Sequence, residues 1–545
     1  MKSIRGLTLC VLAVLLVLVF CLSSPSSDLI LIKVEKKTGL PRLSYTALGV
    51  RMIQELETCW IGEASAGQAA KLKEEGIRFI EMDTNPSGKA YYLVELPRAD
   101  DLHVLSEYGL VRRIEDRICL FWCEKLNVRD LLPPRFRIKR LPPEAVEPRT
   151  RERSHLREPA WSHPFAFNSD ISRMVSQVSA PNLSTSIQRL QDFQTRYAST
   201  AQCESAGTYL YDFFRNLGMP TEYDPFTFDG GAFSRNIIAV LPGKVAPGRE
   251  VIICGHYDSY SDQALTLAPG ADDNASATAA VMELARVMKD YQFNFTLKFI
   301  CFSAEEWGLL GSLHYAQEAK KSREKIIAVI NMDMIAYVDR HPEDLDIIVD
   351  KNSDWLADEF IAAANLYAPL PWRKIINASY AWSDHASFWD VGYSALCGIE
   401  DADAPNPFYH LTTDTLSTLD MGFCTDVARA ALAAAANLAE PLSTPPAPTG
   451  LRAQSQLSSS LFLTIKTVYL SWDANPGGVK GFNIYRSTTE HGGYQKINSG
   501  LLTQPFYTDS FLEPDRPYYY VVTAVDTQDR ESNNSEEVRD DENNG

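Results

Sequence analysis

Three apolar runs near the middle of the chain each end in a residue able to hold a metal ion, and nothing else in the sequence restricts the fold as strongly. Val251-Ile252-Ile253-Cys254-Gly255 leads into His256, and Leu297-Lys298-Phe299-Ile300-Cys301-Phe302-Ser303-Ala304 leads into Glu305-Glu306. Ile326-Ile327-Ala328-Val329-Ile330-Asn331-Met332 leads into Asp333. Runs so continuously apolar read as strands buried on both faces, as in a mostly parallel sheet covered by helices. Chemistry in open sheets of this kind gathers beyond the carboxyl ends of the strands. His, Glu and Asp at three separate strand ends is therefore a prediction about one place in space.

Two further stretches belong to the same set. Gly270-Ala271-Asp272-Asp273-Asn274-Ala275-Ser276 precedes a predicted helix from about Ala277 through Met288. Gly270 permits a tight turn there, and the acids sit near the positive end of the helix. Tyr409-His410-Leu411-Thr412-Thr413-Asp414-Thr415 supplies a second histidine on a loop.

Around this centre the chain of 545 residues divides into several domains. Lys2 and Arg5 precede an apolar run from Leu7 to Leu22, which Ser23, Ser24 and Pro25 break. As a helix that run reaches about 24 Å, short of the roughly 30 Å hydrocarbon core. Residues 1–24 therefore read as a cleaved export signal, implying a secreted, periplasmic or extracellular protein without a membrane span. Residues 28–130 form a small α/β unit with strand-like Ile30–Val34 and Tyr91–Leu96 and a helix over Gln68–Glu75. The unit carries no chemical motif and lies between the signal and a basic, Pro-containing stretch at 131–166 that reads as a linker. A pro-region or folding aid fits that position. Residues 167–442 alternate helix and strand, and a Pro-rich linker follows at 443–446. Residues 447–538 read as short strands that resemble a fibronectin type III sandwich, with Trp472 in an early strand and Tyr518-Tyr519-Tyr520 in a late one. An acidic tail ends the chain at 539–545.

Composition narrows the partners. The net charge of −18, from 70 acids against 52 bases, repels phosphate backbones and argues against nucleic acid. Of ten cysteines, Cys10 and Cys21 fall in the signal, and the other eight show no repeated C-x-x-C pairing of the zinc-ribbon kind. Cys254 and Cys301 read as buried thiols, whereas export would permit a disulfide between Cys119 and Cys123 or between either of them and Cys59.

The motifs His256-Tyr257-Asp258-Ser259, Gly270-Ala271-Asp272-Asp273-Asn274, Ala304-Glu305-Glu306, Asp333-Met334, Ser383-Asp384-His385-Ala386-Ser387 and His410 occur in one order over residues 170–440. In that order they resemble the bacterial di-zinc leucyl aminopeptidase family, part of a zinc exopeptidase group that also holds glutamate carboxypeptidase-like and glutaminyl cyclase-like members. The resemblance implies two zinc ions per chain, with Asp273 bridging them. His256 and Asp333 then hold one ion, and Glu306 and His410 the other. It implies Glu305 as general base toward the attacking water, and a cis peptide between Asp273 and Asn274. Asp258 is expected to accept the second ring proton of His256, and Met334 and Tyr380 to line the substrate pocket. The expected reaction is release of amino-terminal residues from peptides or proteins with a free amino end. Two alternatives of the same fold stay open: a di-zinc carboxypeptidase or dipeptidase, which would add a basic pocket for a substrate carboxylate, and a glutaminyl cyclase. A binding protein with a dead catalytic domain is a third, opposed by the complete ligand set with Glu305. Elsewhere the plainer reading holds: Asp272 shapes its loop, His385 supports structure, and His314 and His341 stand in no pattern. The family commonly has glycine where Ala277 stands, which predicts slight repacking and no loss of metal.

Overall fold

The computed structural model describes residues 29–37, 42–124, 128–143, 167–228, 231–403, 406–442, 445–459, 464–473, 479–527 and 530–540. The export signal, the greater part of the 131–166 linker and the end of the acidic tail lie outside the described residues. The chain divides into two compact units, Met1–Pro441 and Leu442–Gly545.

The first unit begins with two four-stranded antiparallel sheets. Strands β1 (Leu29–Glu35), β2 (Arg51–Glu55), β3 (Cys59–Ser65) and β4 (Phe79–Asp83) form one, in the order β2-β3-β1-β4. Strands β5 (Tyr92–Glu95), β6 (Leu110–Arg113), β7 (Ile118–Trp122) and β8 (Arg137–Arg140) form the other, in the order β6-β7-β5-β8. The helix Ala66–Glu74 starts at a reciprocal cap: the Ser65 hydroxyl accepts from the Gln68 amide, and the Gln68 side chain accepts from the Ser65 amide. Strand β8 corrects the linker expectation. Phe136, Ile138 and Lys139 are buried, and β8 pairs with β5 along Arg137–Arg140. The alternation of Arg and Lys with single apolar residues looks solvated in sequence, yet its cations find carboxylate partners across the fold.

The central sheet holds eight strands: β9 (Thr221–Phe228), β10 (Ala232–Leu241), β11 (Ala246–His256), β12 (Phe295–Phe302), β13 (Lys325–Met332), β14 (Leu345–Val349), β15 (Trp372–Ile376) and β16 (Ala395–Ile399). Their order is β15-β14-β16-β13-β11-β12-β10-β9. The middle four, β16, β13, β11 and β12, run parallel, while β10 and β14 run against them. This is the mixed, mostly parallel sheet expected. Residues alternate into two cores: Val251 and Ile253 pack on one face, Ile252 and Cys254 on the other, all fully buried. Each buried Val or Ile contributes about 1.5–3 kcal/mol of transfer free energy, and the polar Arg249 and Glu250 lie in the half-buried part of β11, before its buried run Val251–Cys254. Helices Ala277–Met288 and Met421–Ala439 cover the first face, and Leu310–Ser322 contributes to the second.

The second unit is all β. Arg452–Ser459, Thr464–Ser471 and Phe506–Leu512 make a three-stranded sheet. Val479–Ser487, Gln495–Lys496, Tyr519–Asp526 and Val538–Arg539 make a four-stranded one. No disulfide joins Cys59, Cys119 and Cys123, and all eight described cysteines are buried. No described helix is long and apolar enough to cross a membrane.

Candidate metal centre

Parallel pairing of β13, β11 and β12 puts their carboxyl ends side by side, and the polar residues that terminate them meet there. His256 is the last residue of β11, Asp333 follows β13 directly, and Glu305-Glu306 come after β12 with only Ser303 and Ala304 between. The Gly270 turn brings in Asp273. Gly270 adopts φ +50°, and a side chain there would collide with the Asp273 carbonyl and the Ser259 side chain. Arg196, fully buried, ties that turn down by donating to the carbonyls of Tyr257, Pro269 and Gly270 at 2.7–2.8 Å.

The contacts within the cluster are specific. His256 Nε2 lies 3.3 Å from Asp273 Oδ1 and 3.4 Å from Asp333 Oδ1. His410 Nε2 lies 3.2 Å from Asp273 Oδ2 and 2.9 Å from Glu306 Oε2. The two oxygens of Asp273 thus face the two histidines separately, and its peptide bond to Asn274 is cis, as expected. Two groups of donor atoms result, His256 with Glu305 and Asp333, and Asp273 with Glu306 and His410. Glu305 Oε2 is 3.9 Å from His256 Nε2, so distance alone admits it as a ligand or as a neighbouring base.

Each histidine spends its other nitrogen on the protein. His410 Nδ1–H donates to the Pro134 carbonyl, which leaves Nε2 as the electron-pair donor. His256 Nδ1 is 3.1 Å from the main-chain oxygen of Asp258 and 3.5 Å from its carboxylate. Asp258 is the partner expected, but its carboxylate is aimed elsewhere: it accepts the main-chain amides of Glu305 and Glu306 at 3.1 and 3.3 Å. A single aspartate therefore fixes both the imidazole and the paired glutamates.

Electrostatically the site asks for cations. Asp273, Glu305, Glu306 and Asp333 are all at most 8% exposed. Asp333 Oδ1 and Glu306 Oε1 accept no hydrogen bond. Uncompensated carboxylates at such depth are strongly unfavourable. Burial pushes the Glu305 carboxyl well up, reinforced by Asp333 and Glu306 and opposed by His256. Burial opposes a charge on His410, but Glu306 and Asp273 overcome it and hold the ring at about 9. A mixed nitrogen and oxygen donor set with orphaned buried oxygens suits zinc.

The remaining candidates fall into place. Met334 and Tyr380 line a cleft of about 610 Å³ that reaches Asp273, Glu305, Glu306, Asp333 and His410. Asp272 is structural, accepting from the Ala336 amide and from Asn406 Nδ2. His385 is buried, donates from Nε2 to the Tyr380 carbonyl, and has its ring held down to about 3 by burial. His314 pairs with Asp224 away from the site. Ala277 packs against Gly255, where a Cβ would sit 3.0 Å from that of Ala277. Sequence reasoning missed Asp414, whose carboxylate accepts the amides of Asp272 and Asp273 and orients the loop. It also missed Arg196, Arg129 and Arg137. Asp414 stands four residues after His410, a visible neighbour, but an amide-accepting role leaves no mark on residue type.

Residues 236–435 match Peptidase family M28. This central domain is a member of that family. Among curated relatives of this M28 domain, a leucine aminopeptidase 1 of Fusarium vanettenii is 28% identical over 281 residues, 48% of this chain and 71% of that protein. A probable zinc metalloprotease of Pyrenophora tritici-repentis is 25% identical over 416 residues, 65% of this chain and 94% of the other. In fold the chain is similar to LapB from Legionella pneumophila, with a TM-score of 0.50 at 18% identity, covering 64% of this chain and 99% of that one. The M28 match includes His256, Asp273, Glu305, Glu306, Asp333 and His410, and it excludes β1 to β8.

Proposed function

We propose that this M28 protein is a zinc-dependent aminopeptidase that releases amino-terminal residues from peptides with a free amino end. The observation that carries the reading is Asp273, one carboxylate oxygen toward each histidine, which suits a shared ligand between two metal ions. His256 and Asp333 would hold one zinc, and Glu306 and His410 the other. Bound there, zinc supplies Lewis-acid polarisation of the scissile carbonyl and acidifies a water. Glu305 is the proton carrier: it accepts a proton from the attacking water and returns it to the leaving amine. Asp258 holds Glu305 by its amide, so the carboxylate can swing toward the water without its backbone moving. Asp414 and Arg196 keep Asp273 presented.

A carboxypeptidase reading deserves weight because two arginines, Arg129 and Arg137, line the cleft. Neither guanidinium is at liberty. Arg129 donates to the carbonyls of Phe136 and Pro133, and Arg137 to Glu95 and the Ala402 carbonyl. Both arginines are thus engaged in part by the protein itself, and a curated relative is a leucine aminopeptidase, so the aminopeptidase reading is favoured. Export follows from residues 1–24, and a fibronectin type III-like character for the second unit is supported by buried Trp472 against Phe482 and by buried Tyr518 and Tyr520.

The test is a panel of peptides with free and blocked amino ends, with and without 1,10-phenanthroline. Cleavage of free ends only, abolished by chelator and restored by zinc at close to two ions per chain, is expected. Equal cleavage of amino-blocked peptides, or full activity without metal, would overturn it.

A further inference from the structure

Residues 129–140 lie outside the M28 match, yet they reach the cleft. Arg137 and Ile138 line it together with Met334, Tyr380, Trp382 and Ile399. The stretch is held at several independent points. Lys139, 1% exposed, bonds Asp390 and Gln54 Oε1, the first across the fold and the second within its own unit. The Arg140 amide donates to the Gly308 carbonyl, and a side chain at Gly308 would strike the Arg140 amide at 2.9 Å. Tyr197 donates to Asp130. Arg129 folds the 132–136 turn onto itself and stacks over Tyr260, which packs edge-on against His410. The turn then offers the Pro134 carbonyl to His410. Farther along, Ser379 accepts from the Glu57 amide and donates to Glu115.

A segment that merely blocked the cleft would sit over it with replaceable contacts. Here the contacts are buried and charged, they fix a metal-facing histidine, and apolar Ile138 shares the cavity with residues of the M28 domain. We propose that the amino-terminal unit is a permanent wall of the substrate pocket, with Ile138 limiting the size of the apolar side chain admitted and Arg137 placing a positive charge that disfavours cationic side chains. This rests on the aminopeptidase reading and deepens it. Pro134 and Arg129 act as positioning elements, through His410 and through the turn.

The experiment uses the full chain carrying a site-specific protease site within residues 148–157 and the p-nitroanilides of alanine, leucine, phenylalanine and lysine. The nicked halves are expected to co-elute and keep the activity of the intact chain. Ile138→Ala is expected to raise the phenylalanine-to-alanine ratio of kcat/KM by about tenfold, the scale of one methylene in an apolar pocket, and Ile138→Phe to lower it. Arg137→Gln is expected to raise lysine turnover relative to leucine. Release of the amino-terminal half with activity retained or increased would overturn the proposal and identify a pro-region. So would an unchanged substrate preference in both Ile138 variants. The nicking arm needs no pocket substitution, so it decides even where a variant fails to fold. A parent that cleaves none of the four substrates sinks the aminopeptidase reading instead, and the two failures are thereby told apart.

Discussion

Two stretches of chain meet at the same cleft and could hardly differ more in how they reach it. The ends of β11, β12 and β13 deliver His256, Glu305-Glu306 and Asp333 because parallel pairing forces neighbouring strand ends together. Residues 129–140 deliver Arg137 and Ile138 through contacts with partners as far as 276 positions away, the Pro134–His410 pair being the extreme case. In the first, residue type and position in a strand carry the same message. In the second, meaning arises only when two distant surfaces are docked. The core of a site can therefore be legible while its wall is not.

The strand-end half breaks most dramatically at Glu305. Glu305→Gln keeps size and removes the base, so kcat should fall by at least about 10²-fold while metal content persists. Glu306→Gln should instead lose metal from the His410 side and recover partly with added zinc, since Glu306 lies 2.9 Å from His410 Nε2. Turnover and metal stoichiometry of both variants settle the roles. Loss of metal from Glu305→Gln with both ions kept in Glu306→Gln would reverse them and make Glu305 a ligand beside His256 and Asp333, within whose donor group it falls.

The docked half breaks at Lys139. Lys139→Met leaves the Asp390 carboxylate buried without its ammonium, a change that costs about 3–5 kcal/mol. Adding Asp390→Asn should recover a large part of that loss, because the uncompensated charge is gone. Denaturant unfolding of the wild type, the single and the double variant measures it. A single variant as stable as the wild type would mean that the pair does not fasten the unit.

Much of this was open to reading from residues alone. The five ligand candidates, Glu305 and the helix from Ala277 through Met288 appear where expected, because each combines a chemical type with a position at an element's end. Strand β8 reads as linker because Arg-Phe-Arg-Ile-Lys-Arg matches a solvated basic stretch, and only the fold brings in the acids that neutralise it. Asp258 shows the intermediate case: the right partner for His256, but with its carboxylate committed to the Glu305 and Glu306 amides. Sequence spacing names a pair of residues and cannot say which atoms meet.

His410 joins the two halves, since its Nε2 faces Asp273 and Glu306 while Nδ1 faces Pro134. Without metal its ring is held at about 9 against burial by Glu306 and Asp273. A raised folded-state value means that protonation stabilises the metal-free fold below the unfolded value of about 6.5, and that this contribution disappears as pH climbs through about 9. Zinc needs the ring neutral, so it competes with that proton. The rise in Tm on adding zinc should therefore be larger at a pH of about 9 than at about 6.5, by a few degrees. Differential scanning fluorimetry checks it, and a gain that shrinks with pH would show that His410 is not a ligand.

The smallest effect is expected where the comparison stops. A truncation after Ser443 removes the all-β unit, which has its own core around Val468, Trp472, Ile484, Tyr520 and Val522. Every residue proposed for metal, proton transfer or pocket precedes it, His410 being the last of the proposed ligands. The cut falls in a Pro-rich connection beyond Met421–Ala439, the last helix packed on the central sheet, so no strand of that sheet is lost. Turnover of a short peptide should match the full chain within about twofold, a difference of about 0.4 kcal/mol in barrier. Cleavage of a large or surface-bound substrate is the proper contrast, because a β unit that only binds would alter cleavage of such a substrate and leave that of a short peptide unchanged. A truncated chain that folds, holds its zinc and still cannot cleave the short peptide would place part of the active site in the second unit.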